Sequence, residues 1–216
     1  MKQIAILYHG NCPDGFGGAW AAWKKFGDQA EYLAANYHDP IISNLKEKEI
    51  YFIDFVYSPE IIKKLIAQNK KVTAIDHHVT AEQTVKITRD YSFDINHSGA
   101  ILAWNYFHPG KPAPILLQHI EDADLWQFNV PETKEIETVM ELYPFNYEVW
   151  DKIANDLENL ILKKEYVNKG KILLGFEEQL VKRVVENDAE LVEFEGYKTL
   201  AVNFPNFMAS EIGKEL

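Results

Sequence analysis

The sequence predicts an α/β protein in which an open, mainly parallel sheet carries helices on both faces. Short runs rich in β-branched residues alternate with helical patterns through the first half of the chain, which is typical of βαβ units. The chain has 216 residues, of which 47% are hydrophobic, enough to bury the core of one domain, or of one domain and the start of another. Polar residues follow several strand-like runs directly, as they do where a parallel sheet binds a ligand at the carboxyl ends of its strands.

Strands and helices alternate in the first part of the chain. The helix predicted over 15–26 is rich in Ala, Gly and Trp, and its small residues would let it lie close to the sheet. A second helix begins after Ser58, a typical N-cap residue, with Pro59 at its first position. The strand-like runs are 4–8, 31–35, 50–56 and 71–75. This order is the one that a parallel sheet requires.

The second part of the chain predicts mostly helices. A short helix over 98–107 has Ser98 as its N-cap, and another lies within 112–125. From 147 to 186 the pattern is continuously helical and strongly charged, which indicates two helices or one long spacer. Two strand-like runs follow, over 190–193 and 197–202.

These patterns predict three parts. We expect a larger α/β domain over 1–145, a helical spacer over 146–188, and the beginning of a smaller α+β domain over 189–216. We expect this last domain to be incomplete, because the chain stops at Leu216 inside a helical pattern that has barely begun.

Composition and charge exclude several classes of protein. The net charge of −11 argues against a partner such as a long nucleic acid duplex or an anionic membrane. A single cysteine excludes an intrachain disulfide and fits a reducing compartment. The first apolar run is too short for a signal peptide, and no stretch approaches the roughly 18–20 apolar residues of a membrane span. We therefore expect a soluble, cytoplasmic protein, and the sequence is compatible with a homodimer.

Ligand-type side chains follow three of the predicted strands. The segment 9–14 follows the first strand, Asp54 ends the third, and Asp76-His77-His78 ends the fourth. Because the carboxyl ends of parallel strands meet at one edge of a sheet, these side chains should share one crevice. An ionised Asp54 within an apolar run costs several kcal/mol unless it is paired or binds a metal.

The residue types in this crevice favour hard divalent cations. Two further carboxylates, Asp122 and Asp124, are expected on a loop after a helix. The set is then rich in carboxylate and imidazole groups and poor in thiolates, which suits Mn²⁺ or Mg²⁺ better than structural zinc. So many ligands favour two metal ions, and two ions bridged by a carboxylate are typical of phosphoester hydrolysis.

Each motif taken alone has a plain structural interpretation. A strand-end Asp is more often a cap or turn residue than a ligand, and a His-His pair after a strand is about as often a loop pair as a site. The Gly-rich segment 14–18 lacks the lysine of a phosphate-binding P-loop. We favour the site, because the structural interpretations would have to coincide at three successive strand ends.

The order of the motifs resembles the DHH phosphoesterase superfamily. The motifs are HGNCPDG, a strand that ends in Asp54, IDHH, SGA before a helix, and EDADLW. The DLW ending resembles the branch of oligoribonuclease and cyclic-nucleotide phosphodiesterase-like enzymes, and the resemblance covers residues 4–128. It implies an N-terminal catalytic domain that binds two Mn²⁺ ions, and a C-terminal substrate-binding domain. The glycine-rich, His-containing motif of that second domain does not occur before Leu216, so we expect it to be truncated here.

The resemblance also implies metal ligands. Asp54 would bridge the two ions, His9 would bind the first, and Asp14, His77 and Asp122 would bind the second. Asp124 is the alternative to Asp122, which the family pattern favours.

Cys12 departs from the family pattern. It stands where relatives usually have an aspartate two residues before the Asp-Gly pair, here Asp14-Gly15. A thiolate at Cys12 would bind Mn²⁺ poorly or favour Zn²⁺, and a buried bystander would leave the first site weaker. His9 also stands one residue further from Asp14 than in many relatives.

Catalytic and substrate-binding roles follow from the same resemblance. His78 would contact the scissile phosphate or the leaving oxygen, and Asp76 would orient His77. His97, Ser98 and Gly99 would meet a substrate phosphate at a helix N-terminus, although Ser98 is equally interpretable as a plain N-cap. Trp126 could stack on a base, although a core aromatic that anchors the loop is the favoured interpretation. The remaining histidines are taken as surface or packing residues: His38, His108 and His119.

Together these inferences predict a Mn²⁺-dependent phosphohydrolase, with Mg²⁺ or Zn²⁺ as alternative metals. It would use a water activated by two metal ions to hydrolyse phosphodiester bonds in short oligonucleotides or small, including cyclic, nucleotides. Two alternatives stay open: a pyrophosphatase or exopolyphosphatase-like phosphoanhydride hydrolase, and a non-catalytic module that binds nucleotide or metal.

Overall fold

A parallel sheet lies at the centre of the molecule. The computed structural model describes residues 2–36, 39–204 and 208–216, so His38 lies outside the described residues. In this part of the chain five parallel strands form one sheet in the order β2-β1-β3-β4-β5. The strands are β1 (Ile4–His9), β2 (Ala30–Ala35), β3 (Glu49–Ile53), β4 (Lys71–Asp76) and β5 (Asp90–Phe93). The predicted α/β class, with its parallel sheet flanked by helices, is confirmed.

Helices connect these strands and continue after the sheet. Those between the strands are α1 (Pro13–Phe26), α2 (Pro59–Gln68) and α3 (Glu82–Ile87). Those after the sheet are α4 (Gly99–Phe107), α5 (Ile115–Asp124), α6 (Thr133–Met140), α7 (Tyr147–Leu157) and α8 (Leu160–Asp188).

The sheet separates two apolar cores, because successive side chains of a strand point to opposite faces. On β1, Ile6 packs into the larger core, which is built with α1 and α4 to α8. Its neighbours Ala5 and Leu7 pack into the smaller core under α2 and α3. Strands buried on both faces explain why the sequence shows continuous apolar runs rather than alternation.

Close packing of α1 against the sheet and α4 depends on glycine. A Cβ atom at Gly18 would lie 2.3 Å from Ile53 Cγ2, and one at Gly17 would lie 3.1 Å from Ala100 Cβ. The small residues of α1 therefore permit the close approach that the sequence predicts. The expected N-cap of α4 is also present, since Ser98 Oγ accepts a hydrogen bond from the Ile101 N–H at 3.4 Å.

The helix pair expected as a spacer packs in part into the larger core. In α7, Trp150 and Ile153 are each 1% exposed, and in α8 Val167 is 2% exposed. After α8 the chain forms an antiparallel hairpin of β6 (Glu190–Phe194) and β7 (Tyr197–Ala201), and then α9 (Ala209–Glu215). A small third cluster joins α8 to α9, through Val181, Val184, Met208 and Ile212.

Two boundaries differ from the predicted ones. The run 50–56 ends as a strand at Ile53, because Asp54 has a left-handed backbone with φ of 63°. Asp122 and Asp124 lie in the last turn of α5 rather than on a loop after it. Among the described residues, none of the helices has the length and apolar character needed to cross a bilayer.

Candidate metal centre

The candidate site lies at the carboxyl ends of β1, β3 and β4. Tyr8 of β1 pairs with Ile53 of β3, which pairs in turn with Ile75 of β4. The residues that follow these three positions therefore emerge side by side at one edge of the sheet. Topology thus brings together the strand-end side chains that the sequence predicts to share a crevice.

Asp54 is the centre of the group. Its side chain is buried, its Oδ2 lies 3.3 Å from His9 Nδ1, and it accepts a long hydrogen bond of 3.7 Å from the Cys12 thiol. Its Oδ1 lies 3.4 Å from His77 Nε2. The left-handed backbone at Asp54 turns the carboxylate into this position, and aspartate tolerates that conformation better than most residues.

His77 faces three carboxylates at once. Its Nε2 lies 3.4 Å from Asp54 Oδ1, 3.6 Å from Asp124 Oδ2 and 3.7 Å from Asp14 Oδ2. These distances exceed those of good hydrogen bonds, so the three carboxylates converge on His77 Nε2 without binding it tightly.

Three overlapping groups of potential metal ligands result. Within each group the donor atoms all lie within 4.8 Å of one another. Asp54 belongs to two of the groups and His77 to two, so ions held in different groups would be neighbours. The groups are His9-Cys12-Asp54, Asp54-His77-His78 and Asp14-His77-Asp124.

These residues fit divalent cations. Asp54 Oδ1 is buried and has no hydrogen-bond partner among the described residues, and an unpaired buried carboxylate oxygen is costly. The donors are carboxylates and imidazoles with one thiol, a set suited to Mn²⁺ and similar ions.

The electrostatics of the group also favour a cation. Burial and the nearby Asp54 and Asp124 carboxylates raise the pKa of Asp14 well above its usual range. Burial would lower the pKa of His77, but the nearby Asp54 carboxylate, together with Asp14 and Asp124, raises that pKa to about 9. The carboxylates thus favour positive charge at His77 Nε2, and a divalent cation held there would take the place of the proton.

Asp76 orients His78 rather than His77. Asp76 Oδ1 accepts a hydrogen bond from the His78 backbone N–H at 2.9 Å and lies 2.8 Å from His78 Nδ1. The predicted pairing of Asp76 with His77 is therefore wrong. The His78 side chain is 40% exposed, and its Nδ1 also lies 3.7 Å from Asp54 Oδ1.

The N-terminus of α4 is filled by carboxylates of the protein itself. Asp14 accepts hydrogen bonds from the Gly99 N–H at 2.7 Å and the Ala100 N–H at 2.8 Å. Glu121 Oε2 accepts one from the Ser98 N–H at 2.9 Å and lies 3.0 Å from His97 Nδ1.

The predicted phosphate contacts at Ser98 and Gly99 are therefore wrong, because their N–H groups already have anionic partners. His97 remains half exposed at this helix end.

Asp122 stabilises a loop instead of the metal centre. It accepts hydrogen bonds from the Asn129 N–H at 2.8 Å and the Val130 N–H at 3.0 Å, and a third from the Thr133 side chain. Asp124, two residues further on, belongs to the ligand groups instead. The preference for Asp122 over Asp124 as a ligand is therefore corrected.

Cys12 belongs to the first ligand group, but its thiol is a weak metal ligand. Burial and the Asp54 carboxylate raise the pKa of the Cys12 thiol to about 12. The thiol is therefore protonated at neutral pH and donates to Asp54.

A cavity of about 540 Å³ opens beside the metal centre. Cys12, Asp14 and Asp124 belong to both the cavity wall and the ligand groups. Trp126 borders the cavity with a side chain that is 65% exposed, so the favoured interpretation of it as a core anchor is wrong.

His119 is buried, as expected of a packing residue. It is 1% exposed, its Nδ1 lies 2.9 Å from Thr133 Oγ1, and it borders the cavity. His108 is a packing residue as expected, buried with its Nε2 lying 2.9 Å from the Ala21 carbonyl oxygen.

Comparisons with known proteins show the fold. No protein-family model matches the chain. An uncharacterized protein of Acanthamoeba polyphaga mimivirus is 29% identical over 232 residues, which cover 98% of this chain and 54% of the viral protein. The chain thus spans about half the length of this curated relative.

A solved structure shows that another protein has a similar fold. The crystal structure of an uncharacterized protein from Helicobacter pylori G27 matches this chain with a TM-score of 0.58 and 13% sequence identity. The match covers 100% of this chain and 80% of that chain. At this level of identity the similarity concerns the fold alone, and the activity must be inferred from the site.

Proposed function

We propose that the protein is a divalent-metal-dependent phosphohydrolase that cleaves phosphodiester bonds in short oligonucleotides or small nucleotides. One observation carries the proposal: overlapping ligand groups share the buried Asp54, whose Oδ1 has no hydrogen-bond partner in the described part of the chain. A carboxylate in this position can bridge two cations, which is the arrangement that phosphoester hydrolysis uses.

The ligand groups suggest how two Mn²⁺ ions would be held. His9 and Asp54, with Cys12 as a weak third donor, would hold one ion. His77 would help to hold the other, because it shares one ligand group with Asp54 and another with Asp14 and Asp124. When bound, the ions supply Lewis acidity that stabilises negative charge on a phosphoryl oxygen and promotes ionisation of an attacking water.

His78 is the chain's own candidate for contact with the substrate. Asp76 holds its Nδ1 at 2.8 Å, which leaves Nε2 for a phosphate or a leaving oxygen. The side chain is 40% exposed, so a substrate can reach it. Asp76 would act as a positioning residue that fixes the orientation and tautomer of this imidazole.

Charge supports a short substrate. The net charge of −11 opposes a long polyanion, whereas a short one needs positive charge only at the cleaved phosphate. A cytoplasmic location is part of the proposal, because a single cysteine fits a reducing compartment.

The test combines metal content with hydrolysis. The full chain would be loaded with Mn²⁺, measured by elemental analysis, and assayed for mononucleotide release from RNA of two to five residues. Asp54→Asn should lose metal and lower the hydrolysis rate at least about 100-fold, because an amide is a poor bridging ligand. Asp188→Asn, which changes an exposed carboxylate at the end of α8, is the matched control and should behave like the parent.

Two results would contradict the proposal. One is a parent chain that binds no Mn²⁺, and the other is an Asp54→Asn variant with unchanged metal stoichiometry. Pyrophosphate as a parallel substrate separates phosphodiester from phosphoanhydride hydrolysis, since faster cleavage of pyrophosphate would favour the latter.

A further inference from the structure

The long helix α8 carries apolar side chains on two sides. One side packs within the molecule, since Val167 lies in the larger core and Val181 and Val184 cluster with residues of α9. On the other side, Ile172 and Phe176 are 74% and 64% exposed. A helix with apolar residues on more than one side is usually buried on more than one side. The described residues leave this second side of α8 uncovered.

The exposed apolar residues share one face of α8. Ile161 and Ile172 stand eleven residues apart, about three helical turns, and Phe176 follows one turn after Ile172. All three side chains are exposed, and they define the outer face of α8. Single exposed apolar residues are common, but a group aligned on one surface is typical of a protein–protein contact.

The charges of α8 are segregated along the helix. Its first half, 160–173, contains four lysines and one glutamate. Its second half, 175–188, contains four acidic residues and two basic ones. Such a helix is complementary to a second copy of itself placed antiparallel, because the basic half of each copy then faces the acidic half of the other. A parallel arrangement would bring like charges together.

The positions of the apolar residues fit the same arrangement. The middle residue of α8 (Leu160–Asp188) is Leu174, and Ile172 and Phe176 stand two residues to either side of it. A twofold axis at the middle of the helix would therefore place Ile172 of one copy opposite Phe176 of the other, at two symmetric positions.

One pair of opposite charges falls into the same register. Lys171 stands three residues before Leu174, and Glu178 stands four residues after it, so the twofold axis brings Lys171 of one copy near Glu178 of the other. Both side chains are exposed. They lie on the same flank of α8, because seven residues make about two helical turns.

We propose that the protein forms a homodimer in which the outer faces of two α8 helices pack antiparallel. Ile172 and Phe176 of both copies form the apolar centre of the contact, and Lys171 pairs with Glu178 across it twice. The net charge of −11 on each copy opposes association in general, so the local complementarity of α8 selects this face. The proposal is independent of the proposed function, because none of these residues belongs to the ligand groups.

The oligomeric state of the full chain tests the apolar centre. Sedimentation analysis at about 1–100 μM should give twice the 24.9 kDa mass of one chain. Ile172→Glu places a carboxylate at the centre of the contact on both copies and should raise the dimer dissociation constant at least about 100-fold. Ile66→Glu makes the same change at an exposed position of α2, so it is the matched control and should leave the dimer intact.

Exchange of the two charges tests the antiparallel register. Lys171→Glu and Glu178→Lys should each raise the dissociation constant about tenfold, because each creates two pairs of like charges across the contact. The double variant Lys171→Glu/Glu178→Lys restores opposite charges and should associate as the parent does. An equal mixture of the two single variants should also dimerise, since both pairs are complementary in the mixed dimer. Circular dichroism checks that every variant is folded.

Three outcomes would overturn the proposal. A parent chain that stays monomeric at about 100 μM would assign the outer face of α8 to a different partner. A dimer that Ile172→Glu weakens no more than Ile66→Glu does would lie on another surface. A double variant that associates more weakly than both single variants would show that Lys171 and Glu178 do not pair between copies, and the antiparallel register would fail.

Discussion

Two carboxylates in the last turn of α5 stand two residues apart and have different surroundings. Asp124 faces His77 at 3.6 Å, whereas Asp122 accepts the backbone N–H groups of the loop that follows. Asp124→Asn should therefore reduce Mn²⁺ binding with little change in stability. Asp122→Asn should keep the metal stoichiometry and lower the free energy of unfolding by about 1–3 kcal/mol, because the loop loses a charged acceptor.

Elemental analysis and urea denaturation of the two variants provide both measurements. The two serve as controls for each other, since each makes the same chemical change at a neighbouring position. Loss of metal in Asp122→Asn with retention in Asp124→Asn would reverse the assignment.

Cys12 gives a second prediction at the residue scale. Its thiol is protonated at neutral pH, because burial and Asp54 raise the pKa to about 12. A carboxylate there would be a harder and better ligand, so Cys12→Asp should lower the Mn²⁺ concentration for half-maximal binding. Cys12→Ala should bind Mn²⁺ much as the parent does.

Titrations with Mn²⁺ and Zn²⁺ check the role of Cys12. A large loss of Zn²⁺ affinity in Cys12→Ala would show that the cysteine acts as a thiolate ligand. If Cys12→Asp and Cys12→Ala both titrate like the parent with either metal, Cys12 serves packing only.

At the scale of elements, alanine substitution of two glycines of α8 should change the free energy of unfolding in opposite directions. A Cβ atom at Gly170 would lie 2.0 Å from the Glu135 carbonyl oxygen of α6, and backbone cannot move aside cheaply. A Cβ atom at Gly175 would meet no described atom within 4 Å. Gly170→Ala should therefore destabilise the protein by about 1–3 kcal/mol. Gly175→Ala should stabilise it by about 0.5–1 kcal/mol, because alanine is the better helix former.

Thermal and urea unfolding of both variants test the contact between α6 and α8. Helix propensity alone predicts stabilisation at both positions, so equal stabilisation would show that the two helices are not packed so closely.

Elements differ in how far the sequence could predict them. The strand ends were predictable because β-branched runs mark the strands and topology then fixes which ends are adjacent. The choice between Asp122 and Asp124 as the candidate ligand in α5 was not predictable, since residues two apart on a helix point to different sides. Only the packed structure shows which of these sides faces the candidate site. The left-handed backbone at Asp54 could not be predicted either, because it depends on the contacts of its carboxylate with His9 and His77, which follow other strands.

At the scale of the whole molecule, the cavity beside the candidate metal centre could not be predicted. Its walls come from α1, α5, α6, α7 and the segments between them, and His119 and Trp150 are neighbours of this cavity only after those helices pack. A helical spacer over 146–188, as the charge pattern predicts, would not place α7 against this cavity, whereas Trp150 of α7 lines it.

Global stability should depend on pH through His119. Burial lowers the pKa of His119 from its ordinary value of 6.5 to about 4, so between these values the unfolded chain binds more protons than the folded one. The free energy of unfolding should therefore fall as pH decreases from 6.5 to 4, and His119 should contribute about 3 kcal/mol to that fall.

Urea denaturation at several pH values, for the parent and for His119→Gln, isolates this contribution. Carboxylates titrate alike in both proteins, so the difference between the two curves belongs to His119. Parallel curves over this pH range would show that the histidine is not held neutral by burial.

The ligand groups are collected from distant points along the chain, which has a consequence for synthesis. His9 contributes near the start and Asp124 only from the last turn of the fifth helix. A ribosome adds about 5–20 residues per second, so a nascent chain carries an incomplete set for on the order of ten seconds. The His9-Cys12-Asp54 group is complete once residue 54 has been made, whereas the group that contains Asp124 can form only after every strand of the sheet has been synthesised, because β5 ends at Phe93.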